Sequence, residues 1–437
     1  MTTPHHTAIA LLATLTATTL AGPLTPPPGA PSPTNKTLQD VEPRIPISNT
    51  GNIQIIDQPG SYYLTEDVFS VVRAIEIRSG QVTLDLNGFT IEGDGIGSTG
   101  DIGILVTSSV GNEPVVIRNG FITGFFGDGL ATSASLMQLR IDDIHVSDCD
   151  YGFDISGAAA ITNCTSTNNL NDGYRVTGSA TLENCFARSN TQDGFDITDG
   201  ALRGCNAFGN GINGFLLADN TFTATVTAAE CVAQDNGVDG FATQGPVALH
   251  GCTSAGNTVA GFDIDFPSAL VGCLAFANNN TGFAVGAGSA IHACTSQDNE
   301  GIGFTTGGGA SVADCIARNN TGAGFTFGPA ASAIGCTATN NANGFVLSSD
   351  CRVSFCNADG NGEIGFQGSS DTTIDSCTST DHTTGFVAGT GGLIIRCSAA
   401  GNVTDYNTAN AAFGPIISLG AGGGAVITSN PFANIEH

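Results

Sequence analysis

Apolar and polar residues alternate along this chain in short runs. In Gly194-Phe-Asp-Ile197 the phenylalanine and isoleucine fall on one side and the aspartate on the other. A period of two is that of a strand, and no segment sustains the 3.6 period of a helix. The runs recur in fixed phase. Cys164, Cys185, Cys205, Cys231, Cys252, Cys273, Cys294, Cys315, Cys336, Cys356, Cys377 and Cys397 follow one another at about 21 residues. Five positions after each stands an asparagine, Asn169 through Asn402, with His382 the one exception. Gly-Phe or Gly-Tyr follows the first eleven, as in Gly303-Phe304.

Short strands that keep identical phase cannot be paired as hairpins. They stack coil on coil, placing like residues above like at ~4.8 Å. The array begins before the cysteines. Leu84 to Phe89, Val116 to Phe121 and Arg140 to Ile144 align with Thr162 to Thr165, so that Gly88, Gly120 and Asp143 take the cysteine position. The alignment predicts about fifteen coils and a rod ~70 Å long.

Each column has more than one reading. Stacked cysteines suit a disulfide framework, a metal array or a row of buried thiols. Parallel side chains at strand spacing are too far apart for good disulfide geometry, and no C-x2-C or recurring histidine partner offers a metal site. Buried thiols are therefore expected, with Cys149 and Cys351 off the column. The asparagines read as turn residues bonding their neighbours and the backbone rather than calcium ligands. Asp172, Asp193, Asn213, Asp239 and Asn343 precede glycines expected at positive φ. The phenylalanines form an interior stack.

Composition narrows the partners. Twelve basic residues face 39 acidic ones, a net charge of -27, which repels nucleic acid, anionic lipid and, without a local basic patch or a cation, polyanionic sugars. Tryptophan is absent and tyrosine rare, which argues against an aromatic sugar platform. Residues 1–21 have the apolar, small-residue character of an export signal, too short and threonine-rich to span a membrane. A Pro-rich linker over 22–41, a lead-in or cap over 42–70, the repeats over 71–410 and a C-terminal cap over 411–437 complete the plan. The expectation is a secreted or cell-envelope monomer.

The C-x4-N-x3-G-F coils, with Gln58-Pro-Gly-Ser-Tyr-Tyr-Leu64 leading to Val82-Thr-Leu-Asp-Leu-Asn-Gly-Phe-Thr-Ile91, resemble the right-handed parallel β-helix superfamily, the pectate-lyase-like fold, over roughly residues 50 to 420. The resemblance implies an all-β, single-stranded solenoid with sites on the outward positions of one sheet. It leaves activity open, because the superfamily holds lyases, hydrolases, epimerases, adhesins and proteins of no known activity. Of the polygalacturonase motifs only Asp142-Asp143 has a partial match, and the Asp-Pro-His-Asp of alginate epimerases is absent.

The outward column after each phenylalanine runs Glu76, Leu105, Ala131, Asp154, Arg175, Asp196, Leu216, Ala242, Asp263, Ala284, Thr305, Thr326, Val346, Gln367, Val387. Asp154, Arg175 and Asp196 are the candidate site. Two carboxylates two coils apart lie ~9.5 Å apart at Cα, within the range of an inverting glycosidase, and an arginine among acids resembles the pectate lyases. Against this, Arg175 beside both carboxylates lowers their pKa, where a general acid needs a raised one, and an Asp-Arg-Asp ladder also serves as plain sheet decoration. Insertions at Glu92 to Asp101 and Ala218 to Thr225 bracket the ladder. Glu92, Asp94 and Asp101 are candidate calcium ligands, although a solvated loop explains them too and no cofactor is required. The leading expectation is a non-catalytic structural, surface or glycan-binding protein, with a polysaccharide lyase or glycoside hydrolase as the alternative.

Overall fold

The computed structural model describes residues 44–95, 100–107, 112–133, 136–218, 226–407, 409, 411–418 and 430–437. The expected export signal, the linker, most of the second insertion and part of the expected C-terminal cap lie outside them. Among the described residues there are 48 strands and no helix. Every strand pairing is parallel, and outside the coils that carry insertions each pairs with the next at a sequence offset near 21, as in Phe241↔Phe262↔Phe283. The chain from Arg44 onward is thus a β-solenoid of three ladders.

The first ladder carries the Gly-Phe strands. It runs from Gln54–Ile56 to Thr404–Asn407 and has about 17 turns rather than fifteen. The extra turns lie at the ends. The lead-in strands Gln54–Ile56 and Gly60–Leu64 pair directly with Ile75–Ile77 and Val82–Asp85. Tyr406 stacks beyond the last phenylalanine.

Three interior columns hold the coils together. Thirteen rings from Phe153 to Tyr406 stack face to face, with neighbouring centroids between 4.6 Å (Phe262–Phe283) and 5.2 Å (Phe386–Tyr406). The cysteine column is wholly buried, and all fourteen cysteines are free thiols. Loss of hydration pushes the Cys149 thiol up to about 12 and Cys164 up as well, so these sulfurs sit as small apolar groups. Two early positions differ from the alignment. Ile144, not Asp143, stands above Cys164, because Asp142 pairs with Thr162 and His145 with Thr165. Gly88 is displaced as well, since the chain makes a longer turn there and Leu86 fills the space beside Gly120.

The asparagine column is a continuous hydrogen-bonded ladder. From Asn169 to Asn341, each side-chain Oδ1 one coil on accepts both the backbone N–H and the Nδ2–H of the asparagine before it, as in Asn236 to Asn257 at 3.0 and 2.9 Å. Cys149 heads this column, its N–H donating to Asn169 Oδ1. Cys351 lies in another column at a different corner, following Ser268, Ser289, Ala310 and Ala331. The aspartates and asparagines before Gly-Phe also accept across coils: Asp193 N–H donates to Asp172 Oδ1 at 2.9 Å. The glycines after them are needed for space, not for positive φ. A Cβ on Gly173 would stand 2.7 Å from the Gly194 carbonyl oxygen.

His382 interrupts the ladder. Its Nδ1 bonds the Asn361 carbonyl oxygen, but its buried Nε2 has no partner. Asparagine at this position restores an acceptor for Asn361 and a donor for Asn402. His382→Asn is expected to stabilise the chain by ~1 kcal/mol, read as a raised denaturation midpoint; a lowered midpoint would show that the imidazole packing outweighs the missing bond.

The C-terminal segment closes the stack. Asn434 is fully buried and takes the next place after Cys397, accepting its N–H at 2.9 Å and donating to the Ile394 and Gly414 carbonyls. The strand Asn434–Glu436 covers the free edge of Ser398–Ala400.

Candidate functional site

Strand alternation puts the residue after each phenylalanine on the outer face, and the register holds the whole outward column in line. Ala131, Asp154, Arg175, Asp196 and Leu216 pair in succession. The structure therefore brings Asp154, Arg175 and Asp196 together on adjacent coils. It does not make Arg175 a symmetric bridge. The guanidinium grips Asp154 in a fork, Nε to Oδ1 at 2.9 Å and Nη2 to Oδ2 at 2.6 Å, and lies over the Tyr151 ring at 3.9 Å. A fork with an aromatic lid fixes both direction and distance.

The expectation that Arg175 lowers both acids fails at Asp196. Burial, with Asp172 and Asp193 nearby, pushes the Asp196 carboxyl up to about 7 against the smaller opposing pull of Arg175. Asp128, absent from the sequence-based site, is pushed up to about 7 by burial and by Asp154 and Asp150. Asp193 rises to about 6, and Asp150 and Asp172 rise as well, burial leading in each. Arg175 is held more firmly protonated by its bond to Asp154. A crowd of half-buried carboxyls thus surrounds one cation whose fork is already occupied. Asp263 is also raised, to about 6, by burial with Asp239 and Asp265, on a separate part of the face.

The same coils carry a second feature. In Phe153–Thr162, Tyr174–Glu183 and Phe195–Arg203 one strand continues through the corner between the first and second ladders. In later coils the corner is a turn, as between Phe262–Ile264 and Ala269–Val271. The continuous corner opens a trough of about 580 Å³ lined along one outward row by Ala160, Thr181, Ala201 and Thr227, and beside it by Gln138, Ala158, Ser179 and Asp199. Gly200 makes this possible. The Cys185–Cys205 coil is one residue short, and the deficit falls between Val176↔Ile197 and Ala180↔Gly200. Gly200 takes φ +131°, and a Cβ there would lie 2.0 Å from the Ala180 carbonyl oxygen. The short spacing and a glycine outside the Gly-Phe motif were the available signals for the trough. For Asp128 the signal was its place before Gly129, in line with Asp172 and Asp193.

The first insertion reaches the site from its N-terminal side. Ile102, Leu105 and Ala131 form a small apolar cluster on the outside of the solenoid, and the Asp101 carbonyl accepts the Gly127 N–H beside Asp128. Glu92, Asp94 and Asp101 are not gathered for calcium. Glu92 is exposed on a strand paired with Phe121–Thr123, and no group of three or more His, Cys, Asp or Glu among the described residues is placed to hold a metal ion. Asp142 and Asp143 lie off the first ladder. Asp142 accepts from Thr162 and Asn163, and Asp143 is a turn residue with φ 55° beside His145.

Residues 73–229 match the family model described as a right handed beta helix region. No curated protein matches the chain. Among solved structures, the chain is similar to pectate lyase Pel9A, with 17% identity over 56% of this chain and 72% of that one and a TM-score of 0.39. It is also similar to the A-module of the Azotobacter vinelandii mannuronan C-5 epimerase AlgE4 (14% identity, 81% and 90% covered, TM-score 0.34). A third is tailspike protein 3 of bacteriophage CBA120 (12% identity, 86% and 59% covered, TM-score 0.32).

Proposed function

We propose that this right-handed parallel β-helix is an extracytoplasmic glycan-binding protein whose ligand lies across the corner formed by residues 153–203. The observation that carries the reading is a coincidence of place. The three coils bearing Asp154, Arg175 and Asp196 are the three whose strands run unbroken through the corner and open the trough. A trough lined by small alanine and threonine side chains with hydroxyl, amide and carboxylate groups beside them suits an extended, hydroxyl-rich chain, and the hollow on the regular coils around Asp263 and Ala284 is smaller, about 230 Å³. In a binding assay of the full chain against a panel of polysaccharides, Ala160→Trp is expected to weaken binding at least tenfold. Ala248→Trp, in the same outward row but outside the trough, is expected to leave it unchanged. Equal affinity of both variants and the parent would remove the trough from the function.

One observation favours a second, hydrolytic reading: burial with Asp172 and Asp193 pushes the Asp196 carboxyl up to about 7, toward the range a general acid needs, two coils from Asp154. In that case reducing ends are released and Asp196→Asn abolishes the release; a parent chain that releases none ends this reading. A lyase using Arg175 as base is disfavoured, because Asp154 strengthens its hold on the proton.

A further inference from the structure

The ligand's charge can be argued one step further, on the reading that this corner binds glycan. Arg175 has Nε and Nη2 committed to both oxygens of Asp154 and its face against Tyr151, so little of it remains for an anionic sugar. Around it stand Asp128, Asp150, Asp172 and Asp196, with Asp193 beside the last two, each raised by burial and also by neighbouring aspartates. Asp199 edges the trough itself. Neither Asp196 nor Asp199 has a side-chain hydrogen bond or ion pair among the described residues, whereas Asp154 is fully engaged. Among the other cations, Arg118 pairs with Asp85 at 3.0 Å and Arg203 with Glu230 at 3.5 Å, while Arg140 lies near Asp142, one coil before Ala160 at the end of the trough's row. A carboxylate-bearing polymer would drive these acids further toward their protonated forms, whereas a cationic one supplies the counter-charge that lets them ionise.

We infer that the glycan bound at this corner is positively charged, a polymer whose sugars carry free amino groups, and that Asp196 and Asp199 receive its ammonium groups. Two carboxyls on one strand, either side of Ile197-Thr198, give an extended cationic chain two anchors, one on the first-ladder face and one in the trough. Binding of an ammonium beside Asp196 stabilises its ionised form, so association releases protons near neutral pH.

The test is calorimetric titration of the full chain at pH 6 with a fully deacetylated glucosamine hexamer, its N-acetylated counterpart and a galacturonate hexamer. The amino-sugar hexamer is expected to bind at least tenfold tighter than the other two, to lose at least tenfold between 50 and 300 mM salt, and to lose at least tenfold in Asp199→Asn and in Asp196→Asn. Thermal midpoints of both variants confirm that they fold. Equal or tighter binding of the N-acetylated or galacturonate hexamer would overturn the charge assignment and leave the glycan reading standing. Binding of none of the panel polysaccharides and none of the three hexamers would overturn both.

Discussion

Replacing Asn257 with leucine is expected to cost ~3–5 kcal/mol, the largest loss of any single outwardly conservative-sized change in the solenoid. Asn257 is completely buried. Its Oδ1 accepts the N–H and Nδ2–H of Asn236, and its own N–H and Nδ2–H donate to Asn278 Oδ1. Nδ2 also donates to Ser254 Oγ at 2.8 Å. Leucine has similar volume but keeps only the backbone N–H, which still reaches Asn278 Oδ1; the backbone N–H of Asn236 is stranded in a dry interior and its Nδ2 is left with only the Ala207 carbonyl at 3.5 Å, each loss at ~1–3 kcal/mol. Because coils contact only their neighbours, the damage should be local. Amide hydrogen exchange should lose protection at Asn236, whose N–H has no other acceptor, while protection in the coils around Asn341 persists. A loss below ~1 kcal/mol, or uniform loss of protection along the rod, would contradict this account of the ladder.

The second large effect is an inverted dependence on pH. Asp128 and Asp196 titrate at about 7 and Asp193 and Asp263 at about 6 in the folded chain, against ~3.9 for unfolded aspartate. Between these limits the folded state binds more protons than the unfolded state, so stability is greatest at the acid end of the window and falls as pH rises through 7. Each tenfold change in proton affinity corresponds to ~1.4 kcal/mol. Halving that for the water that still reaches these carboxyls leaves ~2 kcal/mol each for Asp128 and Asp196. Opposing acids are few. Glu76, Asp142 and Asp375 are held low by Arg78, Thr162 and Arg396 respectively, and their contribution is lost only on acidification below about pH 4. The thermal midpoint should therefore be several degrees higher at pH 5 than at pH 8, and the double variant Asp128→Asn with Asp196→Asn should flatten that slope. A midpoint that is constant or rises from pH 5 to 8 would refute the assignment, and an unflattened slope would trace it to the general excess of negative charge instead.

The ladders were legible residue by residue. Cysteine, asparagine and phenylalanine at fixed offsets gave the column memberships from Cys164 onward, and the outward column from Glu76 to Val387 appears in the structure in the order read. Where the offsets broke, reading failed. Between Asp85 and Thr90 the turn is longer than its successor by two residues, so counting alone misplaced Gly88. Cys149 was set aside because it lies off the cysteine spacing, although one coil of counting back from Asn169 reaches its place at the head of the asparagine column. The site was legible only in outline. Asp154, Arg175 and Asp196 were found by register, but register does not say which carboxylate the guanidinium grips, and although Asp128 and Tyr151 stand in line with Asp172 and Asp193, that spacing does not say that the first is buried among acids or that the second lies against Arg175.

The repeat period by itself determined the solenoid, its three interior columns and the face on which Asp154, Arg175 and Asp196 lie, because in-register stacking turns equal spacing in sequence into vertical alignment in space. The tertiary structure alone decided the pairing of Arg175 with Asp154, the raised acids at Asp128 and Asp196 and the trough at the Gly200 corner. These depend on side-chain direction, on burial and on how one missing residue is absorbed, and none of the three is a periodic quantity.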